Sequence, residues 1–76
     1  WYIVDTSLAS MNMMLMAWTL GIGTCWIGSM NREKVKQLLG LGDNHHLLTV
    51  MPFGYIKGEI PNPKPRKPLN NIVKKL

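Results

Sequence analysis

The sequence predicts a mixed fold of helices and short extended segments, and three observations carry that reading. The run from Ser7 to Leu20 is strongly apolar and stops at Gly21, as a helix would. A shorter run after Asn31 places Val35, Leu38 and Leu39 at helical spacing before Gly40 and Gly42. Leu47–Leu48–Thr49–Val50–Met51 is short, apolar and partly β-branched, and it ends at Pro52, the pattern of a buried strand.

The first helix is expected to start at Asp5 and Thr6. Either side chain can cap free backbone N–H groups, and an acid suits the positive end of the helix dipole. Leu8, Ala9, Met11, Met13, Met14, Leu15, Met16, Ala17, Trp18 and Leu20 then surround the helix instead of forming one stripe. A helix apolar on all sides is buried on all sides. A core helix and an interface helix both satisfy this pattern, and the methionines suit an adaptable contact. A chain this small has nothing else to wrap such a helix, which points to a second subunit or a missing half.

Gly21 and Gly23 end that helix, because glycine just past a helix accepts the left-handed conformation cheaply. Thr24 to Met30 follow as an extended or looping stretch. Asn31 caps the second helix, with Glu33 in its first turn. Phe53–Gly54–Tyr55–Ile56 continues the Leu47–Met51 strand in extended form. Pro61, Pro63, Pro65 and Pro68 keep the next segment stiff and non-helical. A last helix is expected to begin at Pro68, with Leu69, Ile72, Val73 and Leu76 on its apolar face and Lys74 and Lys75 at its negative end.

The chain has 76 residues, 46% of them hydrophobic and 17% charged, which is the composition of a folded protein and not of a disordered tail. A chain near this length buries only roughly 60% of the surface it exposes when unfolded, so it is a marginal folding unit. Cys25 is the one cysteine, so there is no internal disulfide, and a reducing, cytoplasmic setting is expected. Cys25, His45 and His46 make at most three metal ligands, two of them adjacent, so no zinc site is expected. The chain opens on Trp1, which suggests that upstream material is missing. No signal peptide is legible, and the apolar stretch from Met13 to Leu20 is far below the roughly 20 residues that span a bilayer.

Charge is uneven. Up to Ile56, Arg32, Lys34 and Lys36 balance Asp5, Glu33 and Asp43. The whole net charge of +5 comes from Lys57, Lys64, Arg66, Lys67, Lys74 and Lys75 against Glu59. A basic tail fits an anionic partner or a solvated end.

Two segments are candidate sites. Gly21-x-Gly23-x-x-Trp26 lacks the third glycine of a dinucleotide fingerprint and follows a helix instead of a strand, which excludes that motif. The Gly23–Ser29 loop fits backbone contact with a ligand, with Trp26 able to cover a flat ring; taken alone, an ordinary connector with a core tryptophan is the commoner reading. Lys64-x-Arg66 sits between prolines. Residues two apart on an extended segment point the same way, so both cations can grip one phosphate, Arg66 bidentately; a solvated linker fits the same spacing. His45–His46 reads as a polar turn and Cys25 as a small buried residue, and no catalytic side chain is assigned.

In order, these pieces resemble the nitroreductase family. The carrying residues are Asp5, "ASMNMMLMAWTLGIGTCWIG" from Ala9 to Gly28, "REKVKQLLGL" from Arg32 to Leu41, "PFGYIKGEIPNPKPRKPL" from Pro52 to Leu69, and the expected closing helix. The resemblance implies an α+β fold, a mostly antiparallel sheet flanked by helices, in an intertwined homodimer with FMN at the interface. Residues 1–76 would be the C-terminal part of one such domain. Trp26, Ile27, Gly28 and Ser29 would line the flavin ring, partly through backbone groups, and Lys64 and Arg66 would hold its phosphate. NAD(P)H would reduce the flavin, which would pass electrons to a nitroaromatic, quinone or similar acceptor, with no nucleic acid or membrane as partner. The family's N-terminal phosphate-binding arginine motif is not in this sequence, so a missing N-terminal half would complete the site. The alternative is a small non-enzymatic module whose basic tail binds nucleic acid or an acidic partner.

Overall fold

The computed structural model describes residues 1–76. Helix α1 runs Tyr2–Thr19, strand β1 Ile22–Thr24, helix α2 Arg32–Leu39 and strand β2 Phe53–Tyr55, and a single 3-10 turn covers Leu69–Asn71. The two strands form an antiparallel ribbon in which Ile22 faces Tyr55, Gly23 faces Gly54 and Thr24 faces Phe53. Helix α1 packs against β1. The arrangement is α+β with antiparallel pairing.

Helix α1 starts a turn earlier than expected. Trp1 is its N-cap, without a side-chain cap bond, and Asp5 lies inside the first turn with its N–H donating to the Trp1 carbonyl at 2.8 Å. No glycine or proline interrupts Trp1–Val4, so the helix propagates back past Asp5, whose carboxylate still lies at the positive end. At the other end Gly21 takes φ 76°, which an L side chain rarely adopts.

One stripe of α1 is covered. Ser7 and Met14 are half-buried, and Ser10 and Ala17 are the two fully buried residues of the chain. These positions recur at helical spacing, and three of the four are small, which lets β1 approach closely. The buried Ser10 hydroxyl is satisfied by the Thr6 carbonyl at 2.7 Å. The rest of the helix is uncovered: Leu8 is 61% exposed, Met16 60% and Trp18 54%. The radius of gyration is 16.6 Å, against about 11 Å for a compact chain of this length. Most of the large apolar side chains are therefore left uncovered in an extended chain.

Helix α2 is framed as its sequence predicts. Asn31 Oδ1 accepts from the Lys34 N–H at 3.1 Å. Gly40 ends it in the left-handed conformation, its N–H on the Gln37 carbonyl and the Leu41 N–H on that of Lys36. The face turned inward differs from the expected one. Arg32, Val35 and Lys36 are half-buried, whereas Leu38 is 86% exposed.

Two further expectations change. Leu47–Met51 is half-buried over most of its length but is not a strand; only Val50 pairs, in a single bridge to Ile27, and the strand is Phe53–Tyr55. The expected closing helix is one 3-10 turn. Leu69 and Ile72 are exposed, and a short helix with no packed face is not stable in water. Between Tyr55 and Leu69 the chain has no helix or strand, as the prolines require. No helix is long and apolar enough to cross a membrane.

Candidate functional site: the loop after the ribbon

The bridge between Ile27 and Val50 keeps the register of the β1–β2 ribbon. The pairing lapses between Thr24 and Ile27, where Cys25 stands opposite Pro52, which has no N–H to donate. It resumes with a reciprocal pair: the Ile27 N–H donates to the Val50 carbonyl at 3.1 Å, and the Val50 N–H to the Ile27 carbonyl at 3.4 Å. The Thr49 hydroxyl adds a bond to the same Ile27 carbonyl at 2.9 Å. The loop is thus pinned at Ile27.

Around that pin the loop presents groups to the outside. Trp26 and Ile27 are exposed. The Trp26 ring lies beside Gly28, its Nε1 3.7 Å from where a Gly28 Cβ would stand. The backbone N–H groups of Gly28 and Ser29 donate to no atom of the chain. Backbone donors left unpaired on a pinned loop are open to a hydrogen-bond acceptor.

Trp26, Ile27, Gly28 and Ser29 are brought together by contiguity and by the Ile27–Val50 pin. Lys64 and Arg66 are on the extended tail, exposed, with no hydrogen bond or ion pair to any residue; the one ion pair joins Lys36 and Glu33. Both cations are therefore unneutralised and open to an anion, and no bond ties them to the loop. Cys25, expected to be buried, is exposed. His46 stacks edge-on against Tyr2, ring centroids 5.7 Å apart, and no cluster of His, Cys, Asp and Glu is placed to hold a metal.

Sequence reasoning missed the residues behind the loop. Arg32 Nε donates to the Leu47 carbonyl at 3.0 Å and its Nη2 to the Leu48 carbonyl at 3.2 Å. These bonds satisfy carbonyls that have no ladder neighbour, since only Val50 of this segment pairs. A signal was present: a cation in the first turn of a helix sits at the unfavourable end of the dipole, which calls for a compensating contact.

With fold and loop in view, the class of protein follows. The chain belongs to the nitroreductase family, whose model matches residues 1–55. It is similar to a provisionally named NADH dehydrogenase/NAD(P)H nitroreductase of Archaeoglobus fulgidus, 37% identical over 62 residues, an alignment that covers 76% of this chain and 36% of that protein. The chain thus spans about a third of the length of the curated relative it matches. No solved structure matches it. The family match includes Trp26–Ser29 and ends at Tyr55, short of Lys64 and Arg66.

Proposed function

We propose that this chain forms the C-terminal part of an FMN-dependent oxidoreductase that passes reducing equivalents from NAD(P)H to a nitroaromatic, quinone or similar acceptor. The observation that carries the reading is the pair of free N–H groups on Gly28 and Ser29, in a family-matched loop pinned through Ile27.

The residues present fit a flavin. Trp26 offers an aromatic surface for the ring, and the Gly28 and Ser29 N–H groups donate to its polar edge. Gly28, without a Cβ, leaves room for the Trp26 ring beside it. Lys64 and Arg66 would hold the phosphate, Arg66 with its planar fork. Bound flavin supplies the hydride chemistry, and this chain's task is to bind, orient and shield it. No side-chain acid or base is needed from these residues.

The uncovered sides of α1 support a homodimer with the flavin at its interface. A second copy, together with the N-terminal portion of the protein, would cover Leu8, Met16 and Trp18. The reading of the tail as a nucleic-acid module has less behind it: residues 57–76 contain no aromatic side chain on which a base could stack.

The test is FMN titration of the protein encoded by the full open reading frame, read by quenching of flavin fluorescence. Saturable, stoichiometric quenching is expected. A protein that takes up no FMN contradicts the proposal.

A further inference from the structure

We infer that Arg32 is a positioning residue for the flavin-facing loop, acting through Thr49 and Val50 on the backbone of Ile27–Ser29. The inference rests on the proposed function only for what the loop faces; the strut itself is independent of it.

The chain of contacts is continuous. Asn31 caps α2 and fixes Arg32 at the start of the helix. Both hydrogen bonds of Arg32 end on consecutive carbonyls, those of Leu47 and Leu48. A planar guanidinium that meets two carbonyls sets the direction of that peptide as well as its position. The next two residues, Thr49 and Val50, carry every bond that holds Ile27 from the opposite arm: hydroxyl to carbonyl at 2.9 Å, and the reciprocal N–H pair at 3.1 and 3.4 Å. Gly28 and Ser29 follow Ile27 directly, so the aim of their free N–H groups depends on that pin.

The geometry also explains why the segment needs a side chain to hold it. Residues 47–49 have no ladder partner, and the ribbon proper is interrupted at Pro52. Arg32 is half-buried and makes no ion pair, so its charge is spent on the two carbonyls. Charge-assisted bonds of this kind are the stronger class, and a half-buried carbonyl left without its partner carries a desolvation penalty.

The experiment uses the full-length protein with three substitutions: Arg32→Gln, Arg32→Lys and, as a control on the same helix, Lys34→Ala. Amide hydrogen exchange at Ile27 and Val50 reads the strut without flavin. Exchange there is expected to be about tenfold faster in Arg32→Gln, partly restored in Arg32→Lys, and unchanged in Lys34→Ala. In the flavin-loaded protein, the visible circular dichroism of the bound flavin is expected to change in Arg32→Gln. General loosening would instead lower the melting temperature with an unaltered flavin spectrum. Unchanged exchange at Ile27 and Val50 in Arg32→Gln overturns the strut. Faster exchange with an unchanged flavin spectrum overturns its positioning role. If the wild-type protein binds no FMN, the functional reading and the positioning role fall together, and the exchange data still decide whether the strut exists.

Discussion

Ile27 and Val50 exchange backbone hydrogen bonds across the whole of α2, at 3.1 and 3.4 Å, in the same register as the strands that precede and follow them. This pair converts two arms that would part at Pro52 into one ribbon, and it fixes the loop that carries Trp26, Gly28 and Ser29. Thr49 reinforces it through the Ile27 carbonyl. Replacing Thr49 with Val keeps the shape and removes the hydroxyl bond. We expect a loss of about 1 kcal/mol in stability, measured by denaturant unfolding, and weaker FMN retention in the same variant.

The ribbon is closed by glycine facing glycine. A Cβ built on Gly23 would stand 3.2 Å from Ile56 Cγ1. Gly23→Ala should therefore destabilise by about 1 kcal/mol through crowding. In the double variant with Ile56→Ala that penalty should largely vanish, a coupling that a double-mutant cycle reads directly.

The ends of α2 give a third stability prediction. Asn31→Ala removes the bond to the Lys34 N–H and should cost about 1 kcal/mol. Gly40→Ala forces an L residue to φ 68° and should cost roughly 1–2 kcal/mol. Asn31→Asp keeps the acceptor and should be close to neutral. Chemical denaturation of the three variants checks the ranking.

Much of this was legible in the sequence, because local chemistry decides it. Gly21, Asn31 and Gly40 behave as their residue types require, and the prolines keep residues 61–68 free of helix and strand. What was not legible depends on distant contacts. Leu47–Met51 has the composition of a strand, but only Val50 finds a ladder partner, and Arg32, fifteen residues upstream of Leu47, binds the Leu47 and Leu48 carbonyls. Leu69, Ile72, Val73 and Leu76 have the spacing of a helix, but nothing covers that face. At the site, the loop residues are contiguous and could be read together. Lys64 and Arg66 could be read only as a charged pair, because an exposed tail records no partner.

That pair carries the phosphate half of the proposal. Lys64→Ala with Arg66→Ala should weaken FMN binding roughly ten- to a hundredfold, since each charged hydrogen bond contributes about 1.5–3 kcal/mol before solvent competition. Riboflavin, which lacks the phosphate, should bind the wild type and the double variant alike. Fluorescence titration with both flavins separates a phosphate contact from a general loss of fold.

The exposed sides of α1 predict an assembly contact. Met16 is 60% exposed here and is proposed to lie against another part of the complete protein or its second copy. Met16→Lys places an unpaired charge in that contact and, if the second copy covers it, should shift the proposed dimer toward monomer or aggregate. Sedimentation velocity is the check; an unchanged dimer would remove Met16 from the interface.

The most direct measurement is the visible absorbance of the protein purified from its full open reading frame, before and after NAD(P)H is added without oxygen. The account predicts a flavin spectrum that bleaches on reduction and returns when a nitroaromatic or quinone is supplied. A colourless protein that also fails to take up added FMN would contradict it.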